Sequence, residues 1–125
     1  MNATAFFKSL PPLYWAWGTY LAYPRTPAQY CTVLDSVQGM TTPSTMELLN
    51  AACRQLSPGE CYLEVGTWRG ATLIGALLGN DAIGYAIDND AMIEHNGDQQ
   101  QSRDVWRRNV KRFGVASRAH YVDAS

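Results

Sequence analysis

Two carboxylates and two glycines carry the clearest chemical pattern in the chain. In Leu63-Glu64-Val65-Gly66-Thr67-Trp68-Arg69-Gly70, an acidic residue stands two positions ahead of one glycine, and a second glycine follows four positions later. Gly66 can take the positive φ of a sharp strand-to-helix turn, and without a side chain it lets a ligand approach the backbone. Gly70 opens the next helix and permits close packing, and free N–H groups at that helix start favour an anionic group such as a carboxylate. Asp88 lies 22 residues beyond Gly66. A carboxylate at the end of a second strand can accept hydrogen bonds from both hydroxyls of a ribose. The pairing points to a nucleoside. Its plainer counterparts are an ordinary turn for Gly66 and Gly70, and a turn-capping role for Asp88.

The loop is a poor match to a pyrophosphate site, which usually reads G-x-G-x-x-G, whereas here Trp68 and Arg69 stand inside it. Glu64 argues the same way. An anion repels a pyrophosphate, but it suits the ammonium and sulfonium of S-adenosylmethionine. Arg69 could hold a cofactor carboxylate, although a solvated loop arginine is the favoured reading.

These residues need elements to place them. Cys61 to Val65 reads as a buried strand, residues 70–78 as a helix, and Ile83 to Ile87 as a second buried strand ending at Asp88. A helix from about Ser102 to Phe113 follows, with Trp106, Val110 and Phe113 on one face. Ala119 to Val122 reads as a third strand. Ahead of them, Ser44-Thr45-Met46-Glu47 has the form of a capping box opening a helix that Ser57-Pro58-Gly59 stops. Helices alternating with short apolar strands predict an α/β fold, a Rossmann-like parallel sheet with flanking helices. Residues 1–43 read as an aromatic, proline-punctuated N-terminal arm, and 44–125 as the half-domain.

Composition sets bounds on function. The chain has 125 residues, 46% hydrophobic and 17% charged, which suits a packed core and excludes disorder. A formal charge of −1 argues against a nucleic-acid partner. Six of the ten lysines and arginines fall between Arg103 and Arg118, which reads as a solvent-facing helix surface. Cys31, Cys53 and Cys61 show no metal-like spacing and read as reduced, buried thiols of a cytoplasmic protein. No metal site, membrane span or signal peptide is expected.

From about Gly39 to Ser125 the sequence resembles the first half of a class I S-adenosylmethionine-dependent methyltransferase, nearest to the bacterial O-methyltransferase-like group with Glu-x-Gly-x-x-x-Gly. The matching stretches are Gly59 to Thr72, Tyr85 to Asp90, Arg107 to Gly114 and His120 to Ser125. The resemblance implies that Glu64 and Gly66 hold the methionine part, with Thr67 and Gly70 in the same loop. Asp88 would bind the ribose, and Asn89 would sit beside the adenine edge. The adenine contact at the third strand falls to Asp123 or Ser125, depending on how the register is aligned.

Such a fold has seven strands, and the chain supplies only the first three, the half ordered 3-2-1. It reads as truncated, with no residue assignable as catalytic base and no wall for the methyl acceptor. The acceptor expected from the resemblance is a small molecule methylated on oxygen. The open edge of the first strand, or the aromatic arm, offers a route to homo-oligomers. The competing readings are a non-catalytic α/β interaction module and a fragment of a nicotinamide-dependent oxidoreductase.

Overall fold

The computed structural model describes residues 1–10, 28–89 and 102–124. The elements are α1 (Ala3–Ser9), α2 (Ala28–Ser36), α3 (Pro43–Cys53), β1 (Tyr62–Val65), α4 (Ala71–Leu77), β2 (Gly84–Asp88), α5 (Ser102–Arg112) and β3 (Ala119–Asp123). The strands form one parallel sheet in the order β1-β2-β3, as expected for the 3-2-1 half of a Rossmann-like α/β fold.

One face of the sheet carries the helices, and strand residues of alternating size explain how. Gly84 and Ala86 of β2, the central strand, are buried. A Cβ on Gly84 would stand 2.8 Å from Leu73 Cδ1 and 3.0 Å from Leu77 Cδ1, so the missing side chain is what lets α4 lie against β2. Leu73, Ile74, Ala76 and Leu77 of α4 are fully buried there. Helix α5 joins the core through Trp106, whose ring meets Tyr121 of β3 edge-on at 5.3 Å. The core continues through Met46 of α3 and Tyr30 and Val33 of α2, all buried.

The opposite face is bare among the described residues. The register aligns Leu63, Tyr85 and His120 in one row and Val65, Ile87 and Val122 in the next. Leu63 is 58% exposed and Val65 78%, and Tyr85 and Val122 are exposed as well. β1 and β2 are thus covered on one side only. The apolar runs signal strands correctly, but the full burial expected of them is found on one face only among the described residues.

Three further expectations change. Helix α3 is capped by Thr42, whose Oγ1 accepts the Thr45 N–H at 3.2 Å, with Pro43 in the first turn. Proline there begins the helix one residue ahead of Ser44, which is buried inside the first turn. Regular structure also begins before Ser44, in α1 and α2, while Tyr14, Trp15, Trp17, Tyr20 and Tyr23 lie outside the described residues. Of the free cysteines only Cys53 is buried; Cys61 is exposed and Cys31 half-buried. No described helix is long and apolar enough to cross a membrane.

Candidate functional site

The C-terminal rim of the sheet gathers the residues singled out by the sequence. In the pairing register Glu64 lies beside Ala86, with Tyr121 on the far side of it, and two residues further Asp88 lies beside Asp123. The chain leaves β1 through Gly66, whose φ of 81° lies in the left-handed region and whose surroundings hold nothing within 4 Å of a Cβ position. Its N–H donates to the Ile87 carbonyl at 2.8 Å, which keeps the start of the turn on the sheet. Gly70 ends the turn with φ 86°; a Cβ there would meet the Trp106 ring at 2.8 Å. The close packing expected of Gly70 is therefore against α5.

Glu64 is largely withdrawn from solvent. The Tyr62 hydroxyl, on the same face of β1, donates to its Oε2 at 2.9 Å. Burial pushes the Glu64 carboxyl above the usual glutamate range and the Asp88 charge adds to the rise, while the Thr67 and Tyr62 hydroxyls oppose it. Glu64 Oε1 has no partner in good hydrogen-bond geometry, and neither does Oγ1 of Thr67, a residue only 5% exposed. Buried polar atoms left in this state are costly in a folded chain.

Asp88 is drawn into the turn itself. Its Oδ2 accepts the Trp68 N–H at 2.7 Å, and Trp68 is the one described non-glycine residue with positive φ, 45°. A bulky residue seldom holds that conformation without support, and the Asp88 bond supplies it. Next to it the Arg69 guanidinium lies 5.3 Å from the Trp68 ring centre, so Arg69 is not simply solvated. Asn109 of α5 donates to the Arg69 carbonyl at 2.9 Å, tying the loop to the helix behind it.

Around this centre the remaining expected residues diverge. Asn89 is exposed just past β2. Asp123 pairs with Arg103 of α5 at 3.1 Å, so its carboxylate is already engaged by a cation. Ser125 lies outside the described residues, as does His95. In the basic cluster Arg107, Arg108, Lys111 and Arg112 are exposed as expected. Arg118 departs from that reading: half-buried, it donates to the carbonyls of Leu77 and Ala82 at 3.1 and 3.0 Å. Sequence reasoning also passed over Tyr62, Trp68 and Asn109. Only Tyr62 had a signal, since two residues ahead of Glu64 on a strand is the same face.

An open cleft of about 530 Å³ lies at the other end of the strands, lined among others by Cys53, Arg54, Glu60 and Asp81. It is remote from Glu64 and Asp88, and the terminal amine, which pairs with Glu60, stands at its margin.

No protein-family model matches the sequence, and no curated protein matches it. Among solved structures, YjhP from E. coli aligns over 78% of this chain with a TM-score of 0.52 at 17% identity. The two share a fold. The chain spans 36% of YjhP's length. An O-methyltransferase from Bacillus cereus, solved in complex with SAH, aligns over 78% of this chain and 50% of its own at 19% identity. Its TM-score of 0.41 is too low to add to the conclusion on fold.

Proposed function

We propose that the chain binds S-adenosylmethionine across the C-terminal ends of β1 and β2, as the cofactor-binding portion of a methyltransferase. The acceptor in this reading is a small molecule methylated on oxygen. The observation that carries it is the meeting of Glu64, Gly66 and Asp88 at one rim, with Glu64 Oε1 and Thr67 Oγ1 buried and unpartnered beside the open Gly66 turn.

The residues fit such a group. When bound, the cofactor supplies a methyl group on a sulfonium centre. Glu64 attracts the cationic methionine end, because a buried carboxylate gains more from a nearby cation than a solvated one does. Gly66 leaves the backbone accessible, and Thr67 places a buried hydroxyl beside Glu64. Asp88 receives the ribose hydroxyls while its bond to Trp68 keeps the turn in shape. Asn89 borders the adenine. The adenine contact at the third strand falls to Asp123, which Arg103 engages, or to Ser125. Methyl transfer also needs an acceptor held in line with the donor. No described residue is assigned that task or the role of base.

Titration calorimetry tests the reading. The chain should bind S-adenosylhomocysteine, and Asp88→Ala should weaken that binding at least tenfold while NAD gives no heat. Binding of NAD in place of S-adenosylhomocysteine would favour the oxidoreductase reading. Binding of neither would leave an interaction module.

A further inference from the structure

We propose that Tyr62 is a positioning residue for the ligand site: its hydroxyl holds the Glu64 carboxylate in place for the cationic end of the ligand. The inference rests on the cofactor reading and adds to it a residue that acts through Glu64. It begins from the strand. Tyr62 and Glu64 stand two apart on β1, so both side chains lie on the covered face, beside Gly84 and Ala86 of β2. Alternate residues of a strand are separated by about 6.6 Å, a span that a serine or threonine hydroxyl does not bridge. The phenol is a long, rigid arm with a single O–H, and that O–H donates to Glu64 Oε2 at 2.9 Å. Its ring packs against the buried core cluster, which fixes where the hydroxyl sits.

Glu64 lacks the partner that a carboxylate withdrawn from water ordinarily has. Buried charges are normally paired, yet among the described residues no lysine or arginine forms an ion pair with it. What it has instead are hydroxyls, from Tyr62 and from Thr67 in the turn. Asp88 of β2 acts against its charge, and α4, packed on this face of the sheet, carries no titratable group. Ala86 separates it from Tyr121 of β3. The Cys53 thiol of α3 bears on Tyr62, and burial, which pushes that thiol up to about 11, keeps it neutral. A donor anchored in the core and a carboxylate held by no cation suit a site whose cation arrives with the ligand. A hydrogen bond to the ionised form is also the stronger one. Tyr62 therefore governs both the direction of the carboxylate and its readiness to receive a cation.

Tyr62→Phe removes the hydroxyl and keeps the ring. NMR on the whole, ligand-free chain with isotope-labelled glutamate reads the contact directly, and Glu64→Gln identifies the Glu64 signal. In Tyr62→Phe the Glu64 carboxyl should titrate about one pH unit higher, because a donor to its ionised form is lost. Calorimetry with S-adenosylhomocysteine, whose ammonium is the probe cation, reads the consequence for binding. At pH 7, Tyr62→Phe should weaken binding about tenfold in the native chain and less than about twofold in a Glu64→Gln background. A role in packing alone would give the same loss in both backgrounds. That result, or a Glu64 titration unmoved by Tyr62→Phe, would overturn the proposal. Two failures are told apart by the parent chain. If it binds no S-adenosylhomocysteine, the cofactor reading falls and the ligand role of Tyr62 with it. If it binds and Tyr62→Phe binds equally well, the role of Tyr62 falls alone.

Discussion

On its covered face the sheet presents Gly84 and Ala86 of its middle strand, and on its bare face it presents Leu63, Val65, Tyr85 and Val122. In β2 the small residues belong to the buried side and the large ones, Tyr85 and Ile87, to the other. Burial on the covered face is achieved by bringing a helix close to the strand backbone, so the apolar side chains come from α4. On the bare face the strands carry the apolar side chains themselves, and no described element returns to meet them. The contrast separates two things that an apolar strand sequence runs together: that the strand is built for a covered sheet, and which part of a protein covers it.

Gly84→Val should give the largest effect, because the new side chain would collide with Leu73 and Leu77 in a fully packed layer. A loss of about 3 kcal/mol or outright failure to fold is expected in urea denaturation, where overpacking typically costs 1–3 kcal/mol. A loss below about 1 kcal/mol would show that α4 can retreat from β2, and the contrast between the faces would weaken.

Glu64→Gln gives an intermediate effect of known sign. The Glu64 carboxyl is raised in the fold by burial and by Asp88. Folded-state stability therefore falls as pH rises from the ordinary glutamate range through the raised value. The glutamine variant escapes that loss. It should melt higher than the parent at pH 7, and the advantage should vanish toward pH 4. An advantage that persists at pH 4 would assign the gain to something other than ionisation. The same variant should bind S-adenosylhomocysteine more weakly, so stability and binding move in opposite directions.

Val65→Thr should do least. On a side chain that is 78% exposed, the change should stay within about 0.5 kcal/mol. A loss of several times that size in dilute solution would mean that the bare face is covered in the folded monomer.

The strands and helices that place the site were legible because their signals are local. Short apolar runs marked β1 and β2, Gly66 marked the turn, and the helical spacing of Trp106, Val110 and Phe113 marked α5. The start of α3 was misplaced because Ser44-Thr45-Met46-Glu47 satisfies the capping-box pattern, while Thr42-Pro43 starts the helix with a different cap. What the sequence hid depends on tertiary distance. Asp88 holds the Trp68 N–H across 20 residues, and Asn109 reaches the Arg69 carbonyl across 40. Arg118 sits in a run of cations, and nothing in that run separates it from its solvated neighbours. Its role appears only once the end of α4 lies beside it.

That end of α4 bears on the order in which the molecule can be made. The helix has seven residues, too few to persist by itself in water. Its last carbonyls are held from both sides in sequence. Asn50 donates to Gly75, Ala76 and Leu78 at 3.0, 3.1 and 2.6 Å, and Arg118 donates to Leu77. A nascent chain has Asn50 in hand long before Arg118 emerges. The helix behind the Glu64-Gly66 turn is therefore secured in two instalments, from Asn50 first and from Arg118 only after β2 and α5 have been made.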